Sequence, residues 1–310
     1  MKLRYIRAFL AIVETGSIRG ASLKLGVSQP ALTKALQDLE AQLGAMLITR
    51  TATGSAPTKA GQAFFERAKW IDLELRRARE EVSQMSGGGA GSVAVGLSPV
   101  ASMVMAAEAV GRFRKSFPAA KLKIGGGVFD YALSGLRQGR FDFAVGGMPI
   151  ATIAADVEVE ILMRNQIVPW VRNGHPLAKA RTLAELAEAE LMLTSDDPSF
   201  VEIISSHFLK LSAPQPRIAV TCESFPALLE LIPQTDLVAF FPDNLLANEH
   251  VASVMAPIPI AEPLPVTSLA LIKKAGAPLT PLAEHLADNF RRLARRLAAA
   301  LDERRPSRPG

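Results

Sequence analysis

The first fifty residues contain two short segments in which apolar residues recur at helical spacing. One segment begins at Ser17 and ends at Gly26, where a glycine suits a left-handed helix end. The next begins at Ser28, and Pro30 is tolerated in its first turn. Its apolar residues recur at steps of four, three and four and predict a buried stripe: Leu32, Leu36, Leu39 and Leu43. Two helices joined by so tight a turn indicate a helix-turn-helix.

The outward face of the second helix is polar. It carries Gln29, Thr33, Lys34 and Gln37. A glutamine amide can pair with an adenine edge, a threonine can contact bases, and a lysine can bind phosphate or guanine. We interpret this face as a surface that reads double-stranded DNA; the alternative is the ordinary solvated face of an amphipathic helix.

A longer helix follows the helix-turn-helix. Between residues 58 and 86 the apolar positions alternate steps of three and four and are flanked by charged residues: Gly61, Phe64, Ala68, Ile71, Leu75, Ala78, Val82 and Met85. This 3.5-residue repeat favours a two-stranded coil. We therefore predict a dimerisation helix, with contacts from Phe64, Ala68, Ile71, Leu75, Ala78 and Val82; the alternative is a helix that lies on its own domain.

Beyond the glycine-rich segment 87–92, which predicts a hinge, short β-type runs alternate with helical patterns. Strands are expected at 93–97, 122–126, 141–145, 167–171, 218–222, 237–240 and 268–273, and helices at 101–117, 130–138, 183–189, 199–211 and 281–301. This rhythm predicts a parallel sheet with helices on both faces. The strand at 268–273 is expected to return to the sheet formed by the first strands. The segment between them would then form a second lobe, inserted in the sequence of the first.

Charge is concentrated at the amino-terminal end. Residues 1–59 hold eight Lys or Arg and three acids, a net charge of +5, whereas the other 251 residues hold 27 of each sign. A basic amino-terminal segment followed by an electrically neutral remainder is typical of a protein that contacts nucleic acid at one end.

Composition and motifs exclude several other classes. The 310 residues are 49% hydrophobic but have no run long enough to span a bilayer and no signal-peptide core, which predicts a cytoplasmic protein without membrane contact. One cysteine and four scattered histidines predict neither a disulfide framework nor a metal site. No nucleophile elbow or catalytic triad stands out, so we expect no enzyme, catalytic residue or cofactor.

The chain resembles the LysR-type transcriptional regulators over nearly its whole length. The amino-terminal match rests on order and spacing: Phe9, Val13, Gly16-Ser17, Ala21, Leu25, Val27-Ser28-Gln29-Pro30-Ala31-Leu32, Leu39-Glu40, Leu43-Gly44, Leu47, Arg50, Thr58 and Ala60-Gly61. Thr33 and Lys34 stand where the family commonly has Ser and Arg, and residues 54–58 lack the usual basic residue of the wing. This motif adds two residues to the predicted DNA-binding set. The full set comprises Ser28, Gln29, Pro30, Thr33, Lys34, Gln37, Arg50 and Thr58.

The resemblance implies a multidomain α+β architecture. We expect an all-α winged helix-turn-helix at 1–58, a coiled-coil linker helix at 59–86, a hinge at 87–92 and a two-lobed α/β effector domain like periplasmic binding proteins at 93–310. Lobe I comprises 93–164 and 268–302, and lobe II comprises 165–267. The strands that cross between the lobes are expected near 163–168 and 264–269.

Ligands of such sheets bind beyond the carboxyl ends of strands. The exit Ser98-Pro99, with Ser102 four residues after Ser98, would suit a carboxylate or sulfonate; the alternative is that Ser98 only caps its own helix. Further effector positions are implied by the resemblance alone: Phe129, Gly147, Met148, Ser199, Phe200, Ser224 and Phe225. Such aromatic residues most often belong to the core, but three at element boundaries would also suit an aromatic or otherwise apolar anion.

These expectations predict a regulator that binds DNA as a homodimer or, as the family does, as a homotetramer, with RNA polymerase as a further partner. A small organic effector would modulate operator binding or bending. Two other classes share parts of this pattern: a binding protein for transport, which shares the two-lobed fold but needs an export signal, and an architectural DNA-binding protein without an effector.

Overall fold

The structure, a computed structural model, describes residues 1–51, 54–85, 91–127, 129–148, 155–194, 198–210 and 216–304. Within these ranges the side chains at 50, 51, 198–200, 210, 302 and 304 are not described. The chain divides into two compact units. One comprises residues 1–91 with 137–140, and the other comprises residues 92–136 with 141–310.

The amino-terminal unit is built from four helices and a hairpin. Its helices are α1 (Leu3–Thr15), α2 (Ile18–Leu25), α3 (Gln29–Leu43) and α4 (Lys59–Met85). Its strands β1 (Ile48–Thr51) and β2 (Gly54–Pro57) pair antiparallel. The predicted helix-turn-helix, wing and long helix are therefore all present.

The core of this unit lies where α1, α3 and the start of α4 meet. Phe9, Ile12 and Leu39 have no exposed surface, and Ala68 of α4 is equally buried beside them. The predicted leucine stripe is correct at its first three positions but wrong at Leu43, which is 40% exposed. Leu43 is the last residue of α3, and the chain turns away at Gly44 before another element can cover it.

The second unit contains the predicted alternation of strands and helices. Its strands are β3 (Ser92–Leu97), β4 (Lys121–Gly126), β5 (Phe143–Met148), β6 (Val157–Arg172), β7 (Glu190–Leu193), β8 (Arg217–Thr221), β9 (Val238–Pro242), β10 (Met255–Pro257) and β11 (Val266–Lys274). Its α-helices are α5 (Pro99–Ala101), α6 (Ala107–Ser116), α7 (Phe129–Arg137), α8 (Pro198–Lys210), α9 (Phe225–Leu231), α10 (Glu249–Val254) and α11 (Pro281–Arg304). A π-helical segment, Ser102–Ala106, joins α5 to α6.

The strands form one sheet in the order β4-β3-β5-β11-β6-β9-β7-β8, with β10 on the side of β6. The prediction of a parallel sheet is correct only in part, because the sheet is mixed. β3 is parallel to β4 and β5, and β7 is parallel to β8 and β9, but β11 is antiparallel to β5 and β6, and β6 to β9. The predicted crossover segments lie in β6 and at the start of β11, where Val266 pairs with Gln166. β6 connects the two halves of the sheet because it is long enough to pair with β11 along its first part and with β9 and β10 along its last part.

Each lobe has its own buried core. In lobe I, α6 and α11 cover one face of the sheet around Phe113, Phe143 and Phe290, and α7 covers the other face around Phe141. In lobe II, Trp170, Met192 and Val238 lie at the centre, each with no exposed surface.

Several secondary-structure predictions differ from the structure, and β10, α9 and α10 were missed. The helix expected at 183–189 is only the 3₁₀ turn Leu183–Leu186, because β7 begins at Glu190 and leaves no room for more turns. β7 was not predicted. The first half of β6 was also missed, because the exposed and buried positions of this segment do not alternate regularly.

Candidate DNA-binding surface and effector site

Hydrogen bonds cap the amino-terminal ends of α2 and α3 and fix the turn between these helices. Ser17 Oγ accepts from Gly20 N at 3.0 Å, and Ser28 Oγ accepts from Ala31 N at 3.4 Å, so both predicted caps exist. Gly26 has φ of +65° and closes α2 by donating to Ser22 O. Ser22 Oγ donates to Val27 O at 2.5 Å and holds the turn from its other side. The geometry of a helix-turn-helix thus follows from local polar contacts.

The predicted reading residues share one open concave surface. It is lined by Ser22, Gln29, Pro30, Thr33, Lys34 and Gln37. Gln29, Lys34 and Gln37 are exposed, and Thr33 is half-buried. Their donors and acceptors are therefore accessible to base edges and phosphates. Ser28 caps the helix beside them, and Ser22 is a lining residue that the sequence did not single out.

Lys34 has a partner on its own helix. Its Nζ lies 3.1 Å from Asp38 Oδ1, and 72% of the lysine side chain is exposed. The hydrogen bond from Lys34, with help from the Tyr5 hydroxyl and from Arg4, lowers the pKa of the Asp38 carboxyl. Asp38 is thus an anion at ordinary pH and pairs with this lysine.

The wing is anchored to the helices. Ser55 N donates to Gly16 O at 2.8 Å and ties β2 to the end of α1. Thr58, predicted to bind DNA, donates from Oγ1 to Met46 O at 2.8 Å and accepts from Gly61 N at 2.9 Å, so its hydroxyl caps α4. The side chain of Arg50 and the wing residues 52 and 53 lie outside the described residues.

Two further contacts join elements of this unit and were not predicted. The Glu40 carboxylate is buried and accepts from Leu47 N at 2.7 Å and Ile48 N at 3.1 Å, which joins α3 to β1. Arg7 Nε lies 2.6 Å from Asp72 Oδ1, which joins α1 to α4. Neither pairing follows a spacing rule, because the partners are brought together only by the fold.

The dimerisation residues predicted on α4 fall into two groups. The Phe64 ring lies 5.4 Å from that of Phe9, and Ala68 is fully buried, so this part of the helix packs on its own unit. Further along, Ile71, Val82 and Met85 are 42%, 65% and 73% exposed. Ala78 is exposed and Leu75 is half-buried. An uncovered apolar stripe therefore begins at residue 71, one heptad after the first predicted contacts.

At the predicted effector site, Ser98 caps the helix after β3. Its Oγ accepts from Ala101 N at 3.3 Å, and its N–H donates to Val145 O at 2.9 Å. Pro99 is the first helical residue, and Ser102 is half-buried four residues after Ser98. The next strand ends nearby, because a Cβ added to Gly146 would lie 3.0 Å from Ser98 Cβ. A Cβ on the following Gly147 would meet no atom within 4 Å, so space is open there.

The helix that begins at Pro99 also contacts lobe II. Val100, Met103 and Val104 pack against the lobe II core, as do Cys222 and Phe225. Met103 lies in the π-helical segment, and its carbonyl oxygen accepts from Asn248 Nδ2 at 2.9 Å. π-Helical turns free backbone carbonyls and are frequent at functional sites. Here the bond connects the lobes beside the predicted cleft.

The predicted aromatic residues do not all pack in one cluster. Phe225 follows Ser224 at the start of α9, and its ring lies 5.8 Å from that of Phe241 in lobe II. Phe129 and Met148 instead pack with the Phe141 cluster of lobe I. Ser199 and Phe200 begin α8, but their side chains lie outside the described residues.

Other kinds of site find no support in the described part of the chain. No group of three or more His, Cys, Asp or Glu there is arranged to hold a metal ion. Within the same ranges, no helix has the length and apolar character needed to cross a bilayer.

Two protein families match this chain. Residues 3–62 match the bacterial regulatory helix-turn-helix proteins of the lysR family, and residues 86–295 match the LysR substrate binding domain. The chain therefore belongs to the LysR family of transcriptional regulators. It is a DNA-binding regulator with an effector-binding domain, not an enzyme.

Known relatives match this chain over most of their length. The HTH-type transcriptional regulator TdcA of Escherichia coli K12 is 25% identical over 290 residues, which are 91% of this chain and 92% of TdcA. The SDS degradation transcriptional activation protein of a Pseudomonas species is 27% identical over 288 residues, covering 91% of this chain and 93% of that protein.

Two solved structures share the fold. CbnR complexed with its target DNA superposes with a TM-score of 0.64 at 24% identity, covering 94% of this chain and all of that one. A full-length OxyR variant from Pseudomonas aeruginosa has a TM-score of 0.69 at 19% identity, and the match covers 94% of this chain and 95% of the OxyR chain.

Proposed function

We propose that this regulator works in the cytoplasm as a homodimer, or as a pair of dimers, that inserts α3 of each protomer into the major groove of a two-fold symmetric operator. A small apolar or aromatic organic anion, bound between lobes I and II, would alter operator binding or bending. The observation that carries the proposal is the open surface of α3, where Gln29, Thr33, Lys34 and Gln37 are displayed together.

The apolar stripe on α4 supports the dimer. Ile71, Val82 and Met85 occupy positions of the 3.5-residue repeat and are exposed in the isolated chain, so a second copy of the helix would bury them. The 27 residues of α4 extend about 40 Å at 1.5 Å per residue. A helix of that length can hold two reading heads about one helical turn of DNA apart, as half-sites require.

The polar and apolar groups around the helix that begins at Pro99 support the proposal of an anionic effector. The Ser102 hydroxyl makes no hydrogen bond to any described residue and is half-buried four residues after Ser98, which lies against Gly146, the neighbour of the open position Gly147. Val100, Met103 and Phe225 supply apolar surface where the lobes meet. Hydroxyls and free helix amides can bind a carboxylate or sulfonate, while such surface binds an apolar body.

DNA binding and assembly are tested together. Sedimentation should give a dimer or tetramer, and footprinting should show protected half-sites related by two-fold symmetry. A monomer with equal and weak affinity for every duplex at moderate salt would contradict the proposal.

The effector is tested by calorimetry against a panel of aromatic carboxylates and sulfonates. We expect at least one to bind and to change the operator footprint, because effector and DNA must be coupled reciprocally. Binding of cationic or uncharged polar metabolites alone would contradict an anionic effector.

A further inference from the structure

A second concave surface lies beside the DNA-reading surface, between α1 and α3. We call it the α1–α3 groove; its volume is about 500 Å³. Its floor is apolar and is formed by Tyr5, Leu25, Val27, Ala31, Leu32 and Ala35. Its rim carries Arg4, Arg7, Lys34 and Asp38.

The floor of the groove exposes apolar surface that the unit leaves uncovered. Leu25 and Val27, on either side of Gly26 in the turn, are 38% and 43% exposed, whereas Leu32 beneath them is 2% exposed. Small-molecule sites are typically concavities of a few hundred cubic ångströms with apolar walls and few charged groups. The groove has this size and composition.

Cations outnumber acids around the groove. Lys2 Nζ and Arg4 Cζ lie 6.0 and 5.1 Å from the centre of the Tyr5 ring, so two cations stand at one side. Lys34 stands at the other with Asp38, and Arg7 is paired with Asp72. The lining itself has three cations, Arg4, Arg7 and Lys34, and one carboxylate, Asp38, which favours an anion whose body can contact the apolar floor.

The groove is connected to DNA binding through one residue. Lys34 lines both the groove and the DNA-reading surface. Positions 31, 35 and 38 lie on one side of α3, whereas positions 29, 33 and 37 lie on another, since each residue advances by 100°. A molecule in the groove would therefore leave Gln29, Thr33 and Gln37 uncovered while it attracts Lys34.

We propose that the α1–α3 groove is a second small-molecule site, separate from the cleft between the lobes, and that it binds an organic anion with an apolar body. An anion there neutralises positive charge next to the operator and draws Lys34 away from phosphate. Occupation therefore opposes DNA binding, and by linkage DNA opposes occupation to the same degree.

The test uses the full chain and the fluorescent probe 1-anilinonaphthalene-8-sulfonate, which combines an apolar ring system with one negative charge. Arg4→Gln removes a rim cation and should weaken the groove component of binding about threefold to fivefold. Val27→Ser removes apolar floor and should weaken it about threefold or more. Lys121→Gln, an equal change of charge on exposed β4 of the other unit, is the matched control and should bind like wild type.

Two further arms separate charge from apolar contact and connect the site to DNA. N-phenyl-1-naphthylamine has the same rings without the sulfonate, and its affinity should not change in Arg4→Gln. Saturating operator DNA should displace the sulfonate probe from wild type. The arms without DNA do not depend on the proposed operator mechanism, so their outcome is independent of it.

Wild-type affinity of both Arg4→Gln and Val27→Ser for the sulfonate probe would overturn the proposal, and so would probe binding that operator DNA leaves unchanged. A change of mass in Val27→Ser on sedimentation would mean that a second copy covers the groove, which also overturns it. If Val27→Ser fails to fold by circular dichroism, Arg4→Gln alone decides, because its side chain is exposed.

Discussion

Substituting Gly61 by alanine tests how the helix-turn-helix is joined to the long helix α4. Gly61 is buried in the first turn of α4. An added Cβ would lie 1.9 Å from Leu47 O and 2.9 Å from Leu47 C. Both atoms belong to the backbone, so no side chain can rotate to relieve the contact. Either α4 or β1 must move by more than an ångström.

The cost of that movement follows from what the same carbonyl does. Leu47 O accepts from Thr58 N at 2.9 Å, and that bond would break or lengthen when the strand moves. Overpacking costs about 1–3 kcal/mol and a lost backbone hydrogen bond about 1 kcal/mol, which together predict a destabilisation of about 2–4 kcal/mol. In an exposed helix the same substitution would instead stabilise by about 1 kcal/mol.

Urea unfolding measures the change in free energy, and hydrogen exchange of peptides that cover residues 47–62 localises it. Gly111→Ala is the matched control, since Gly111 lies in helix α6 and an added Cβ would meet no atom within 4 Å. We expect Gly61→Ala to be destabilised with faster local exchange and weaker operator binding, and Gly111→Ala to be slightly stabilised. Equal stability of Gly61→Ala and wild type would refute the reasoning.

Three further predictions concern DNA contact, assembly and the lobes. Gln29→Ala should relax base preference in footprints, whereas Lys34→Ala should lower the slope of affinity against salt by up to about one; identical behaviour of the two would contradict their assigned roles. Val82→Lys should shift sedimentation toward monomer, since it places charge in the exposed stripe, and an unchanged mass would exclude this stripe from the interface. Asn248→Ala removes the hydrogen bond to Met103 O and the α10 cap at Val251 N. Thermal unfolding should show that the free energy of unfolding of the effector domain falls by about 1–3 kcal/mol. An unchanged free energy of unfolding would mean that neither hydrogen bond contributes to stability.

Local patterns in the sequence predicted the helix-turn-helix because contacts between residues close in sequence determine where its helices begin and end. Ser17, Gly26 and Ser28 each act within three or four residues of their own position, and the structure confirms all three as helix ends. The leucine stripe of α3 is also local, and its prediction was wrong only at Leu43, where coverage depends on the next element.

Contacts between distant segments could not be predicted in this way. From the sequence alone, Glu40 resembles any exposed acid on a helix. In the fold, the backbone amides of Leu47 and Ile48 donate to its carboxylate. The antiparallel course of β11 and the bond between Asn248 and Met103 depend on pairings across about 100 residues or more. At the predicted effector site the sequence indicated the helix start at Ser98, but only the fold separates Phe129 from Phe225.

The structure also assigns the three acids among the first 59 residues. Glu14 pairs with Lys24 at 2.6 Å, Asp38 with Lys34, and Glu40 is buried on backbone amides. The positive charge of this segment is therefore not cancelled by a free acid on the reading surface, where the groups other than Lys34 are uncharged. We expect long-range attraction, and with it the salt dependence, to come from the net charge of the head, while base preference comes from the amides and hydroxyl of α3. Raising the salt concentration should accordingly weaken binding to every duplex while the ratio of affinities between operator and unrelated DNA changes little.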